Sequence, residues 1–235
     1  MRINPKILLL IYLNICSFLA FADEKKPYYI ELSSGFSNAY IPYNYGMPSG
    51  RYGSANVSSI ALGYQFNDRI ALDIDFSYRG EFTNNDGTYN TNNNDNAGVS
   101  TSIKSLSTMI NGYYYYYNEI PNFRPYITGG VGLVANKTGA LTMTFKDKDG
   151  DKCSSITEGD RTVSFAWKIG TGIKYQLNNS FEFDLRYQFV NLGNVRQGKS
   201  VSSYMNGDFI ASESKINKSS ILKSHELLVG IVLKF

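Results

Sequence analysis

Two long runs of alternating apolar and polar residues dominate the middle of the chain. In residues 163–177 every second residue is apolar or aromatic except Thr171, and after residues 178–180 the alternation resumes through residues 181–189. A period of two predicts β-strands, and a short Asn/Ser interruption between two such runs predicts a hairpin. Both runs exceed the roughly 5–6 residues of an average strand and are long enough for a tilted strand to cross a bilayer.

The aromatic residues of these two runs are concentrated near the ends of the runs. Phe165 and Trp167 lie at one end of the first run and Tyr175 near the other, with isoleucines between them. The second run likewise has aromatic residues at both ends and Leu185 in the middle. A folded hairpin would therefore present an aromatic belt at each end and aliphatic side chains between, which is typical of the outer surface of a transmembrane β-barrel.

Six further runs show the same alternation, and together they predict eight strands: residues 27–37, 57–66, 69–79, 103–117, 125–135, 163–177, 181–189 and 225–235. Short turns alternate strictly with long polar connections, which are predicted to be four extracellular loops: residues 38–56, 80–102, 136–161 and 194–223. Residues 84–96 are nearly all Asn, Asp, Thr and Gly and are predicted not to order themselves, because they bury too little apolar surface. The predicted fold is all-β: a closed eight-stranded antiparallel barrel of the outer-membrane type, with its N-terminus in the periplasm. Closure removes the sheet edges that a bilayer cannot tolerate.

Five consecutive tyrosines, residues 113–117, close the fourth predicted strand. The alternation places Tyr114 and Tyr116 among lipid headgroups and the other three side chains in the lumen. A platform on which a ligand stacks is the alternative interpretation of this run.

The beginning of the chain predicts export from the cytoplasm. A positively charged start, an apolar stretch at residues 7–20 and the small-x-small sequence Ala20-Phe21-Ala22 indicate a secretory signal peptide at residues 1–22. Residues 23–235 are then a single barrel domain that contains one cysteine, Cys153. That cysteine is either a free thiol or an intermolecular link.

Three segments resemble the small eight-stranded outer-membrane barrels of the OmpA/OmpX type: Pro125-Tyr126-Ile127-Thr128-Gly129-Gly130-Val131-Gly132, Gly170-Thr171-Gly172-Ile173-Lys174-Tyr175 and Leu185-Arg186-Tyr187-Gln188-Phe189. The C-terminus resembles their assembly signal through Gly230, Leu233 and Phe235, although Leu228 stands where a polar residue is usual. The size, the loop lengths and the richness in Tyr and Asn resemble the surface adhesins of rickettsial-type intracellular bacteria. This resemblance implies a bacterial outer-membrane location, with outer-membrane lipid, the barrel assembly machinery and host extracellular proteins as partners.

Nine charged residues share the inward phase of the predicted strands: Glu31, Asp73, Asp75, Arg79, Lys168, Lys174, Glu182, Asp184 and Arg186. Glu226 has the same phase. The lumen of an eight-stranded barrel is only just filled by side chains, and an unpaired charge there is costly. These residues are therefore predicted to form an ion-pair plug, while a narrow gated pore is the alternative use of the same residues.

Catalysis, metal binding and nucleic-acid binding have little support in the sequence. The single histidine, His225, is adjacent to Ser224, but neighbouring residues of a strand point to opposite faces and cannot form a catalytic pair. Residues 147–151 alternate Asp with Lys around a glycine, yet lack the later bidentate glutamate of a calcium loop. The 23 Lys and Arg nearly balance the 20 Asp and Glu, and no basic block suggests nucleic acid. No catalytic residue, metal or cofactor is predicted, and His225 is expected to be an interfacial residue.

The third and fourth predicted loops are the candidate binding surfaces, because function commonly resides on loops held by a rigid scaffold. The candidates in the third loop are basic: Lys137, Lys146, Lys148 and Lys152. Those in the fourth combine basic and aromatic residues: Arg196, Lys199, Tyr204, Phe209, Lys215, Lys218 and Lys223. Such a mixture favours a protein- or polyanion-binding surface, against the simpler interpretation of an ordinary solvated loop. The expected function is a non-enzymatic adhesin for host serum or matrix proteins; the alternative is a structural barrel or small gated pore without a dedicated partner.

Overall fold

The computed structural model describes residues 26–42, 50–90, 96–116, 120, 122–146, 151–214 and 219–235, without the side chains of residues 84–90, 96, 97, 145 and 146. These residues form twelve β-strands: β1 (Tyr28–Ile41), β2 (Gly50–Gln65), β3 (Ile70–Asn90), β4 (Asn96–Tyr115), β5 (Phe123–Thr138), β6 (Leu141–Lys146), β7 (Lys152–Thr157), β8 (Arg161–Gln176), β9 (Phe181–Val195), β10 (Ser200–Met205), β11 (Asp208–Ser214) and β12 (Ser220–Lys234). None of the described residues belongs to a helix long and apolar enough to cross a membrane. The predicted signal peptide lies outside the described residues.

Eight of these strands close into a barrel in the order β1-β2-β3-β4-β5-β8-β9-β12. Every neighbouring pair is antiparallel, and β12 pairs with β1 to complete the ring. The predicted closed eight-stranded antiparallel barrel is therefore confirmed. We refer to the end with the long connections as the outer end, and to the end with the short turns as the periplasmic end.

The outward face of the barrel is apolar, and the predicted strand phases are confirmed. Leu32 and Ile60 are exposed on neighbouring strands, while the adjacent Glu31 and Ala61 are buried. The same alternation leaves Tyr114 exposed and its neighbours buried. The large exposed apolar surface would be unfavourable in water and is suited to lipid. In the tyrosine run the predicted orientation of residues 113–116 is confirmed, while Tyr117 lies outside the described residues.

Two apolar clusters occupy the two ends of the lumen. The outer apolar cluster includes Ile41, Tyr52, Phe82, Ile103, Leu192 and Leu222, which are all fully buried. The tyrosine cluster at the periplasmic end consists of Tyr29, Tyr113, Tyr115 and Tyr126, together with Ala71 and Val232. The charged residues of the lumen are interleaved with these clusters: Asp75 is opposite Met109 of the outer apolar cluster, and Glu182 is opposite Val232 of the tyrosine cluster.

The third and fourth long connections are not the loops that the sequence predicts. Within them, β6 pairs with β7 and β10 pairs with β11, so each connection contains a hairpin. The two hairpins join through β7 and β10, and β6 pairs with the outer part of β4. We call β6, β7, β10 and β11 the sheet extension. These polar segments form strands because their main-chain N–H and C=O groups pair first with β4, whose position the barrel fixes, and then with one another.

Several predicted strands are also too short. β3 and β4 continue past the predicted boundary and pair up to Asn90 and Asn96, so the prediction that residues 84–96 stay unordered is wrong for the paired part. β9 extends to Val195, and β12 begins at Ser220 instead of residue 225. The cause is the same in each case, because a ladder of main-chain hydrogen bonds can continue above the membrane without apolar side chains.

Candidate functional site

Glu31 is the centre of one ion-pair network in the lumen. Its carboxylate accepts from Lys174 Nζ at 3.3 Å and from Arg186 Nη2 at 2.9 Å. Arg186 also donates to the Tyr113 hydroxyl at 3.0 Å, and its Nε lies 4.0 Å from an Asp184 oxygen. All these side chains are buried, so their charges depend on one another rather than on water.

A second network surrounds Glu226, nearer the outer end. Arg79 donates to both carboxylate oxygens, with distances of 2.5 and 3.2 Å. Ser37, Gln188 and Ser224 add hydrogen bonds of 2.9, 2.6 and 3.0 Å. A buried carboxylate with this many donors is held in one orientation.

The other predicted lumen charges also have partners. Lys168 forms an ion pair with Asp75. Asp73 accepts from Asn111 at 2.5 Å and, more weakly, from the Tyr29 hydroxyl at 3.4 Å. The Tyr126 hydroxyl donates to Asp184 at 2.7 Å.

Glu182 has two partners that the sequence interpretation missed. Arg124 Nη1 lies 2.9 Å from its carboxylate and Lys234 Nζ lies 2.5 Å from it. Both cations flank the periplasmic end of the barrel, and the strand phase of Lys234 would have placed it in the lumen. Asn111 and Gln188 were missed as well, because a neutral amide gives no charge pattern to read.

The ammonium group of Lys174 lies among the rings of the tyrosine cluster. Its Nζ is 4.9 Å from the Tyr29 ring centroid, 5.2 Å from that of Tyr113, 5.8 Å from that of Tyr126 and 6.0 Å from that of Tyr115. Cation–π attraction therefore adds to its ion pair with Glu31. Aromatic rings thus surround the charges at the periplasmic end of the lumen, while the outer apolar cluster fills the opposite end.

The candidate binding residues fall into two groups. Lys152 lies on β7, Tyr204 on β10 and Phe209 on β11, all in the sheet extension, while Arg196 and Lys199 lie between β9 and β10. The Tyr204 and Phe209 rings form an edge-to-face pair 5.8 Å apart, and Phe209 is 61% exposed.

The prediction that Lys137 and Lys223 belong to loops is wrong. Lys137 lies on β5 and Lys223 on β12, so both are part of the barrel wall, because those strands continue above the membrane. The side chain of Lys146, and all of Lys148, Lys215 and Lys218, lie outside the described residues.

His225 and Ser224 lie on opposite faces of β12, as the alternation requires. Ser224 is buried in the lumen against Glu226. His225 faces outward, where its Nδ1 is 2.7 Å from the Tyr187 hydroxyl and its ring stacks on Tyr40.

In the described part of the chain no group of three or more His, Cys, Asp or Glu could hold a metal ion. Cys153 is a half-buried free thiol on β7.

The C-terminal residues lie at the periplasmic end. Phe235 is exposed, its N–H donates to Tyr28 O at 3.0 Å, and the two rings stack 6.3 Å apart. Gly230 and Leu228 face the lumen, and Leu233 is half-buried on the outward face. The role of Gly230, Leu233 and Phe235 as an assembly signal stays a prediction.

Comparison with known protein families agrees with the barrel fold described above. Residues 8–235 match the family described as "Outer membrane protein beta-barrel domain". The chain is similar to outer membrane protein PagN of Salmonella typhimurium, with 27% identity over 182 residues, which is 75% of this chain and 71% of that protein.

Two solved structures are also similar. Neisserial surface protein A has 18% identity and a TM-score of 0.48, covering 88% of this chain and 97% of its own. The attachment invasion locus protein Ail of Yersinia pestis, in complex with the heparin analogue sucrose octasulfate, has 11% identity and a TM-score of 0.43. That comparison covers 89% of this chain and 99% of Ail.

Proposed function

Because the chain belongs to the family of outer membrane proteins with a β-barrel domain, it resides in the bacterial outer membrane, and we propose that it is a surface adhesin. Its sheet extension would hold host serum or matrix proteins at the cell surface. The observation that carries this proposal is the union of two hairpins into one sheet anchored on β4. A binding role uses such a surface, whereas a purely structural barrel has no need of it.

The extension is well suited to binding because its shape is fixed before a partner arrives. Five residue pairs join β7 to β10. Asn206, at the tip of the β10–β11 hairpin, exchanges main-chain and side-chain hydrogen bonds of 2.8 and 3.0 Å with Lys152. A surface that is already ordered loses less conformational entropy on association.

The far edge of the extension presents the most suitable contact residues. Phe209 and Ile210 on β11 are 61% and 55% exposed, and Met205 beside them is 38% exposed. Within the described residues β11 pairs only with β10, so its other edge offers main-chain donors and acceptors to a partner strand. Exposed apolar residues beside an open edge can anchor an extended segment of a host protein.

Replacement of the β10–β11 hairpin by a short Gly/Ser linker is expected to abolish the retention of host protein. The test uses bacteria that display the full barrel, incubated with host serum and matrix proteins and then washed. Removing the Phe209 and Ile210 side chains together (F209A with I210A) should weaken retention about tenfold or more, since buried anchors dominate interface energy. Added salt should weaken it further if basic residues such as Lys199 contribute.

A matched control is Val163→Ala, which removes an exposed apolar side chain from the lipid-facing wall instead of the extension. It should leave retention unchanged. Equal retention by the wild-type and linker variants, with surface display verified, would contradict the adhesin proposal.

The alternative function is a small gated pore, which the mixed charges of the lumen would suit. The buried side chains of the outer apolar cluster, and the pairing of the charges with one another, argue for a sealed lumen instead. We expect the wild-type protein, Lys168→Ala and Arg186→Ala all to be silent in planar-bilayer recordings, because neither substitution opens the outer apolar cluster. Conductance that rises in either variant would favour the pore.

A further inference from the structure

Three cations lie side by side on the outward face of the barrel. Lys104 on β4 is directly opposite Lys137 on β5, and Lys137 is directly opposite Arg161 on β8. All three are exposed. We call these residues the basic row. Like charges directly opposite one another on neighbouring strands destabilise a sheet unless an anion lies between them.

The carboxylates near the basic row leave most of its charge uncompensated. Glu81 lies 3.3 Å from Lys104, and hydrogen bonds from Ser102 and then from Lys104 lower its pKa, so it is ionised at neutral pH. Asp160 forms an ion pair with Arg196 at 2.7 Å. Among the described residues no carboxylate lies within ion-pair distance of Lys137 or Arg161.

The height of the basic row places it at the membrane surface. Below it are two rows of outward and mostly apolar side chains: Leu106, Ala135 and Val163, and then Thr108, Leu133 and Phe165. Two residues of a strand tilted by about 40° rise about 5 Å, and the headgroup layer is about 5–7 Å thick on each side. Phe165 belongs to the aromatic belt that marks the interface, so we place the three cations just above this belt, where their long side chains can reach the headgroups of the outer leaflet.

We propose that the basic row binds the phosphate of an outer-leaflet lipid. Lysine ammonium groups and an arginine guanidinium are the usual ligands for a phosphate, and Arg161 can contact two of its oxygens at once. The acyl chains of the same lipid would cover the apolar rows below. An anion held between Lys137 and Arg161 also removes the repulsion that the sheet otherwise carries. The inference is independent of the adhesin proposal.

The opposite wall of the barrel shows that this arrangement is local. There, Arg51 and Lys223 also lie at the outer end, but Tyr40 stands between them in the cross-strand row. Because a whole strand separates these two cations, they are less suited to binding one phosphate together than cations on adjacent strands. They therefore supply a control that removes two outer cations without disturbing the basic row.

The test is native mass spectrometry of the full chain in detergent with three lipid probes: a bis-phosphorylated disaccharide lipid, its dephosphorylated form, and phosphatidylcholine. The wild-type protein should retain the phosphorylated lipid selectively, and excess inorganic phosphate should not displace it. The triple variant K104Q, K137Q and R161Q should retain it about tenfold less or weaker still, whereas R51Q with K223Q should retain it normally.

A folding readout distinguishes loss of the site from loss of the barrel. Without lipid the triple variant should unfold about as easily as the wild-type protein, because the repulsion that it loses between Lys137 and Arg161 offsets the exposed Lys104–Glu81 pair that it also loses. Lys137→Arg should bind as the wild type does. Equal retention by the triple variant and its control, or equal retention of the dephosphorylated lipid, would overturn the proposal.

Discussion

Replacing Glu31 with alanine is expected to destabilise the barrel by about 3–5 kcal/mol, the usual cost of leaving a buried charge without its partner. Glu31 is the carboxylate that Lys174 and Arg186 share. Its removal leaves two buried cations, of which only Arg186 has Asp184 within ion-pair distance, at 4.0 Å. The free energy of unfolding should be measured by urea titration of the protein in lipid vesicles.

Two controls separate charge from shape in this experiment. Glu31→Gln keeps the volume and one acceptor oxygen and should lose less stability than Glu31→Ala. Glu81→Ala removes an exposed carboxylate from its pair with Lys104 and should have little effect. If Glu31→Ala behaved like Glu81→Ala, water would have to reach the lumen and solvate the two cations.

Gly132→Ala is expected to separate β4 from β5 locally and to destabilise the barrel. A Cβ atom at Gly132 would lie 2.0 Å from Thr108 O and 2.7 Å from Met109 Cα, which are main-chain atoms of β4. Main-chain atoms cannot rotate away as side chains do, so the two strands must separate. Such overpacking typically costs about 1–3 kcal/mol, and urea titration should detect it together with a lower folded fraction on gels run without heating.

Gly129 is the matched control on the same strand. A Cβ atom there would have its nearest neighbour, Lys168 O, at 3.9 Å, which is ordinary contact. Gly129→Ala should therefore leave the barrel as stable as before or slightly more stable, because alanine restricts the unfolded chain. Equal behaviour of the two variants would mean that β4 and β5 lie further apart at Gly132 than the structure places them.

The barrel was predictable because lipid on one side and a filled lumen on the other impose a strict period of two. That period assigns Glu31 and Lys174 to the lumen without any knowledge of the pairing. It does not reveal partners: Arg79 meets Glu226 across 147 positions of sequence and Lys168 meets Asp75 across 93. Such pairs depend on register and barrel closure, which a single sequence does not encode locally.

The sheet extension was missed although part of its signal is present. Asn206-Gly207 is a strong hairpin signal, and both residues have positive φ, 51° and 99°, as a type I′ turn requires. Leu141, Met143 and Phe145 alternate with polar residues in the same way. Because the surrounding residues are mostly polar, both segments were predicted to be loops. The pairing of β7 with β10 could not have been read at all, because it joins two separate hairpins.

The way the sheet extension is held together bears on which of its residues can be substituted. Its strands are joined by main-chain hydrogen bonds, which form whatever side chains the residues carry. Exposed positions such as Phe209 and Ile210 can therefore be substituted with little cost to the scaffold. Under the adhesin proposal such substitutions would evade an antibody to those side chains only with a loss of adhesion, while an antibody directed at the backbone shape of the extension would continue to bind.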